Sequence, residues 1–119
     1  MKNKVKLFAH YESESLEDEI NEFLEKNGIN DWKISYDLSY GGTCVIFSAL
    51  LTYDDSVDWS PWNEEQVAIF SHTEPEKLEE QINEFLDRKH PKKWKAQYGT
   101  AYMDTGIVYS VLIRYRKRG

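Results

Sequence analysis

The sequence predicts an α+β fold made of two βαββ repeats, with an antiparallel sheet that carries two helices on one face. Two observations support this. Residues 5–54 align with residues 67–116 without a gap, and twenty of the fifty aligned positions are identical. Within each copy, one apolar segment precedes a helical pattern and two alternating segments follow it. Self-similarity of this kind indicates a tandem duplication.

Each repeat begins with a short apolar segment, VKLFAHY in the first copy and VAIFSHT in the second, which is typical of a strand. Apolar residues then recur at positions i, i+4, i+7 and i+8, and this spacing predicts a helix with one buried face. These residues are Leu16, Ile20, Phe23 and Leu24 in the first copy and Leu78, Ile82, Phe85 and Leu86 in the second. We expect the helices to end near Gly28 and before Pro91.

A hairpin is expected after each helix. Large and small side chains alternate between Trp32 and Tyr40, and again between Val45 and Tyr53, with a glycine-rich turn between the two segments. The second copy repeats this pattern over residues 94–102 and 107–115. The predicted order of the whole chain is therefore βαβββαββ.

The 119 residues are enough for one compact domain, in which repeats 5–54 and 67–116 are joined by a linker over residues 55–66. One repeat alone has a single apolar sheet face and one helix, which is too little for a core of its own. We therefore expect two repeats related by a pseudo-two-fold axis to join their sheets or pack them, and to share a core, as in a fused homodimer. The chain would then be a monomer with an internal pseudo-dimer or a homo-oligomer.

Composition indicates a cytoplasmic protein. No apolar run approaches the roughly 18 residues that a membrane-spanning helix needs, and the N-terminal segment lacks the apolar stretch of a signal peptide. Cys44 is the single cysteine, which excludes an intramolecular disulfide and a CxxC metal site. We expect no contact with membranes.

Several segments resemble a known family. KVKLF, the acidic segment LEDEINEFL, and the segments ISYDLSY and FSALLTY are similar to the short sporulation proteins of spore-forming bacteria, which have relatives in phages and prophages. A member of that family is about as long as one repeat, so the resemblance covers the first repeat well and the second more loosely. It implies a small, intracellular, non-enzymatic protein, and the duplication suggests a specialised derivative.

Acidic residues are concentrated in the first half of the chain. The formal net charge is −6, and residues 12–25 contain seven acidic side chains and no basic one. These residues form either a solvated helix face or a surface directed at a basic protein partner. The candidate partner-binding residues are Glu17, Asp18, Asn21, Glu22, Glu79, Glu80, Asn83 and Glu84, together with Trp59 and Trp62 of the linker.

Basic residues are concentrated in the second repeat. Because an antiparallel hairpin places the start of its first strand beside the end of its second, these residues should meet at one pole. The candidate nucleic-acid contacts are Lys92, Lys93, Lys95, Arg114, Arg116 and Arg118, with aromatic residues nearby. The alternative is a basic C-terminal segment that aids solubility, which the acidic overall balance favours.

Two histidines occupy equivalent positions. His10 and His72 each precede a glutamate by two residues, Glu12 and Glu74, and a pseudo-two-fold could bring the four side chains together around a metal. A strand-end histidine packed beside an aromatic ring is the commoner arrangement, so we expect no metal. A pocket for a small ligand such as a nucleotide is a second alternative. Its candidate lining residues are His10, His72, Tyr36 and Tyr98.

The sequence contains no Walker loop, GxGxxG motif, HExxH motif or Ser-His-Asp order, so we expect no enzymatic activity and no cofactor. Three functions remain: a protein-binding factor, a nucleic-acid-binding module and a small-ligand sequestering protein. We favour the first, either as a phage- or prophage-encoded inhibitor of a host protein or as a factor associated with sporulation.

Overall fold

The computed structural model describes residues 3–29, 31–41, 44–54 and 65–116. Its elements are β1 (Asn3–His10), α1 (Ser13–Asn27), β2 (Trp32–Gly41), β3 (Cys44–Asp54), β4 (Glu65–His72), α2 (Pro75–Lys89), β5 (Trp94–Met103) and β6 (Gly106–Arg116). The predicted α+β fold with a tandem βαββ repeat is confirmed. Neither helix in the described ranges is long and apolar enough to cross a membrane.

Each repeat has its own antiparallel three-stranded sheet, ordered β1-β3-β2 in the first and β4-β6-β5 in the second. The two sheets are therefore separate and are not joined into one. The reason lies at the strand edges where the repeats meet. Side chains of the other repeat bind the backbone of β2 and of β4 there, and within the described residues no strand pairs with either edge.

Each helix packs on its own sheet through the same aromatic cluster. The ring of Phe23 meets those of Phe8 and Tyr53 edge-on, with centroids 5.8 and 5.4 Å away. Phe85 of the second repeat repeats these contacts with its own sheet, at 5.2 and 5.1 Å. Edge-to-face rings at this distance stabilise beyond the area they bury. We call the sheet face under the repeat's own helix the helix-side face and the opposite one the far face.

The two far faces differ in exposure. Val5, Leu7 and Leu50 on the far face of the first repeat are 63%, 72% and 37% exposed. Their equivalents in the second repeat, 62 positions later, are buried: Val67, Ile69 and Leu112 are 1%, 4% and 0% exposed. These three residues join the helix-side core of the first repeat in one apolar cluster. The second repeat therefore packs its far face against the helix-side face of the first.

This packing relates the repeats head to tail and not by the expected pseudo-two-fold. In a two-fold pair, α2 would contact β1 as α1 contacts β4, because both subunits of such a pair use the same surface. In the structure α1 packs along β4 and β2 lies beside β5, while Val5 and Leu7 of β1 are exposed. The two repeats thus have the same fold but contact each other through different surfaces. We call this contact between the repeats the joint.

Candidate binding surfaces

The joint between the repeats begins where α1 lies along the edge of β4. The side-chain amide of Asn21 donates to the carbonyl oxygen of Val67 and accepts from its backbone N–H, both at 2.8 Å. The carboxylate of Glu17 accepts from the backbone N–H of Ile69 at 2.6 Å. These bonds pair backbone groups at the edge of β4 that would otherwise be buried without a partner. They explain why α1 can cover β4.

A second set of hydrogen bonds joins β2 to the far face of the second sheet. The amide of Gln97 donates to the carbonyl oxygen of Ile34 at 2.6 Å and accepts from the backbone N–H of Tyr36 at 2.9 Å. The hydroxyl of Tyr36 lies 2.6 Å from that of Ser110, which donates to the carbonyl oxygen of Phe70. Burial raises the pKa of Tyr36 to about 12, although the bond to Ser110 acts in the opposite direction.

Glu17 is an acid placed in this joint. Burial raises the pKa of its carboxyl, and the nearby carboxylates of Asp18 and Glu14 act in the same direction, while the hydrogen bond from Ile69 lowers it. The negative charge of Glu17 is therefore less favourable in the folded protein than in water.

Of the remaining predicted partner-binding residues, Asp18 and Glu84 line a cleft together with Ile69 and Phe70 of β4. Asp18 and Glu22 are exposed on α1, and their counterparts Glu80 and Glu84 are exposed on α2. Glu79 and Asn83 on α2 are exposed as well. Glu17 and Asn21 thus make contacts within the chain, whereas Glu79 and Asn83, their equivalents, face solvent. Trp59 and Trp62 lie outside the described residues.

A groove on the second repeat corresponds to the site that β4 fills on the first. It has a volume of about 220 Å³ and runs between α2 and β5. Its lining residues are Pro75, Leu78, Glu79, Ile82, Asn83, Tyr98 and Tyr109. Tyr98 is 65% exposed, whereas its counterpart Tyr36 is partly buried in the joint. The groove and its exposed tyrosine therefore form an open copy of the surface that the first repeat uses internally.

A cationic groove of about 640 Å³ lies where the ends of the two repeats meet. Lys92 and Lys93 come from the segment before β5, Lys95 from β5 and Lys33 from β2. The described lining residues are Trp32, Lys33, Glu65, Pro91, Lys92, Lys93, Trp94, Lys95 and Arg114. Trp94 is half exposed. Five cationic side chains and one carboxylate give the groove a positive balance that the whole chain lacks.

Arg114 is tied into the wall of this groove. Its guanidinium lies 3.5 Å from the centroid of the Trp32 ring, binds both carboxylate oxygens of Glu65 at 3.0 Å, and donates to the carbonyl oxygen of Trp32. A stacked, bidentate arginine is a fixed positive charge, so it orders the junction between the repeats.

The structure brings several of the candidate nucleic-acid contacts close together. Lys95 pairs with Arg114 across the sheet, and the backbone N–H of Arg116 donates to the carbonyl oxygen of Lys93. Lys92, Lys93 and Lys95 are exposed. Arg118 lies outside the described residues.

The residues proposed for a ligand pocket have separate partners. His10 binds the carboxylate of Glu19 at 2.6 Å, and Nδ1 of His72 accepts from the backbone N–H of Glu74. Tyr36 is held in the joint by Ser110, and Tyr98 lines the groove beside α2. Among the described residues, no group of three or more His, Cys, Asp and Glu side chains is arranged to hold a metal ion.

The sequence pattern did not identify Gln97 and Ser110 as residues that join the two repeats. A difference between the repeats points to Gln97, because the first repeat has the shorter Ser35 at the equivalent position. Ser110 shows no such difference, since Ser48 is identical to it and makes a different contact, to the carbonyl oxygen of Asp37.

Comparison of the chain with protein-family models, with curated proteins and with solved structures finds no match.

Proposed function

We propose that the chain is a non-enzymatic binding protein that acts by protein–protein contact through the far face of its first repeat. One observation carries the proposal. Val5, Leu7 and Leu50 are exposed, although the equivalent residues of the second repeat are covered by protein. The cell context expected from the sequence, a phage-encoded inhibitor or a sporulation factor, belongs to the same proposal and depends on the partner's identity.

This face combines two features that protein partners use. Apolar side chains lie next to one another on neighbouring strands, because Leu7 pairs with Leu50 and Val5 with Thr52. In the described part of the chain, β1 also has β3 on one side and no strand on the other. An open strand edge can bind an added strand, and an apolar patch beside it can bind apolar side chains of a protein partner.

The test is whether complex formation depends on this face. Leu7→Lys should abolish a stoichiometric complex, identified by mass spectrometry and measured by light scattering after gel filtration, and leave the circular dichroism spectrum unchanged. Tyr11→Lys is the matched control, since Tyr11 is equally exposed but lies beyond β1. A complex that survives Leu7→Lys and Leu50→Lys would contradict the proposal.

A second candidate function is the binding of single-stranded nucleic acid in the cationic groove. The groove presents Lys92, Lys93 and Lys95 around the exposed ring of Trp94, and lysines bind phosphates while an aromatic ring stacks on a base. We expect labelled oligonucleotides to bind with a steep dependence on salt. Lys92→Glu with Lys93→Glu should abolish this binding, and Lys77→Glu on α2 should not. Absence of binding at low salt would exclude this function.

A further inference from the structure

We propose that copies of this chain associate head to tail, and that each new joint repeats the one inside the molecule. The tail surface consists of Val5, Leu7 and Leu50 with the open edge of β1. The head surface consists of Glu79 and Asn83 on α2 and Tyr98 on β5. The proposal rests on the proposed function, because it names a second copy of the chain as the partner of the same face.

The hydrogen bonds that cap the strand edge can be repeated. Inside the molecule, Asn21 binds both the carbonyl oxygen and the backbone N–H of Val67, and Glu17 binds the N–H of Ile69. The chain has the same two side chains 62 positions later, at Asn83 and Glu79, and both are exposed. Placed along β1 of another copy, Asn83 would bind Val5 and Glu79 would bind Leu7.

The apolar contacts are repeated as well. Val67, Ile69 and Leu112 pack against the helix-side face of the first repeat, and their counterparts Val5, Leu7 and Leu50 are the exposed apolar residues of the tail. The groove between α2 and β5 is lined by Leu78 and Ile82, whose equivalents in α1 are fully buried. The head surface therefore offers a space where the tail residues of another copy would fit.

The bond between Tyr36 and Ser110 also has a counterpart, because Tyr98 and Ser48 are identical to them at the equivalent positions. Three other contacts cannot be repeated. Pro75 and Ala9 stand where the hydrogen-bonded hydroxyls of Ser13 and Ser71 stand in the internal joint. Ser35 is too short to replace Gln97, and Thr52 replaces Arg114, which stacks on Trp32. The joint between molecules is thus weaker than the internal joint, and association is reversible and concentration-dependent.

The geometry determines what kind of assembly forms. The internal joint uses two different surfaces, so each added copy leaves one head and one tail open. Growth by this contact therefore continues beyond a dimer, and it ends only where the rotation closes a ring of three or more copies. A symmetric dimer would instead bury the same surface on both copies.

Sedimentation velocity of the 119-residue chain over a wide range of concentrations tests the proposal. The weight-average mass should rise above the 14.1 kDa of one chain and pass twice that value without a plateau, unless it stops at a ring of three or more copies. Leu7→Lys blocks the tail, and Asn83→Lys with Tyr98→Lys blocks the head. Each blocked variant alone should be monomeric.

Mixing the two blocked variants provides the decisive measurement. Each retains one working surface, so the mixture should form a one-to-one dimer of twice the monomer mass and nothing larger. Leu50→Lys is a second tail variant if Leu7→Lys fails to fold, and circular dichroism checks the fold of each. A mixture that stays monomeric, or a wild-type dimer that survives both blocks, overturns the proposal.

The same experiments separate this inference from the proposed function. A wild-type chain that is monomeric at every concentration but binds another protein in a Leu7-dependent manner overturns self-association and leaves the proposed function standing. A chain that neither self-associates nor forms any Leu7-dependent complex overturns both.

Discussion

Asn21 and Asn83 are identical residues at equivalent positions of the two repeats, but Asn21 binds β4 within the monomer whereas Asn83 is exposed. The amide of Asn21 pairs with both backbone groups of Val67. Asn21→Ala leaves these groups without a partner, and we expect a loss of about 1–3 kcal/mol in the free energy of unfolding. Asn83→Ala should change it by less than about 0.5 kcal/mol, since Asn83 is exposed. Urea denaturation of dilute protein measures both values, and equal losses would contradict this assignment.

Glu17 gives the joint a dependence on pH. Its folded-state pKa is raised above the ordinary value of 4.5, mainly by burial, so the folded protein holds the proton more tightly than the unfolded chain. The stabilising contribution of this group is therefore complete below pH 4.5 and is lost as pH rises through the folded-state pKa.

Glu17→Gln removes this dependence, because the amide oxygen can still accept from Ile69 but carries no charge. The variant should gain stability relative to the wild type as pH increases from 4.5 to neutral, as measured by urea denaturation at a series of pH values. Glu79→Gln is the control for removing one exposed helix carboxylate. A stability difference that stays constant with pH would show that Glu17 is not the responsible group.

The two helices end at equivalent residues in the left-handed conformation, Gly28 with φ of 58° and His90 with φ of 46°. This conformation costs a residue with a side chain about 1–2 kcal/mol, whereas glycine adopts it freely. The greater freedom of glycine in the unfolded chain offsets about 0.4–1 kcal/mol of that difference. His90→Gly should therefore raise the free energy of unfolding by about 0.5–1 kcal/mol.

Thermal and urea denaturation measure this gain, with Gly28→Ala as the reverse test. Gly28→Ala should lower stability, because it puts a side chain where the first helix has none. No gain from His90→Gly would mean that the His90 side chain stabilises the helix end by other contacts.

The elements themselves could be predicted because their signals are local. The spacing of Leu16, Ile20 and Leu24 specifies a helix wherever the chain folds, and the alternation from Trp32 to Tyr40 specifies a strand in the same way. The sheet edges could not be predicted. Asn21 is a polar residue on the flank of an amphipathic helix. Its role in pairing the backbone edge of β4 follows only from the position of β4 beside it.

For the molecule as a whole, the repeated sequence predicts the fold of each repeat but not how the two repeats pack against each other. A duplicated sequence is compatible with a two-fold pair and with head-to-tail packing, because both start from two equal folds. The choice depends on a few residues that differ between the copies. Gln97 and Arg114 reach across the joint, whereas Ser35 and Thr52 cannot. The candidate tail surface follows from this choice, so it could not be derived from the sequence before the packing was known.

Leu112 and Leu50 test the head-to-tail relation directly, because they are equivalent residues in different surroundings. Leu112 is fully buried in the core shared by the repeats, while Leu50 is partly exposed on the far face of the first sheet. Leu112→Ala leaves a cavity and should lower the free energy of unfolding by about 2–5 kcal/mol. Leu50→Ala should lower it by less than about 1 kcal/mol in dilute solution.

The comparison is informative because the wild-type residue, the substitution and the strand position are the same in both variants. A pseudo-two-fold would give the two leucines the same neighbours, and the two losses would then be equal. Urea denaturation followed by tryptophan fluorescence and by circular dichroism should give coincident transitions for both variants, since the core that contains Leu112 spans both repeats. A large loss for Leu112→Ala with a small one for Leu50→Ala therefore reports the packing of one repeat's far face on the other repeat, and equal losses would contradict it.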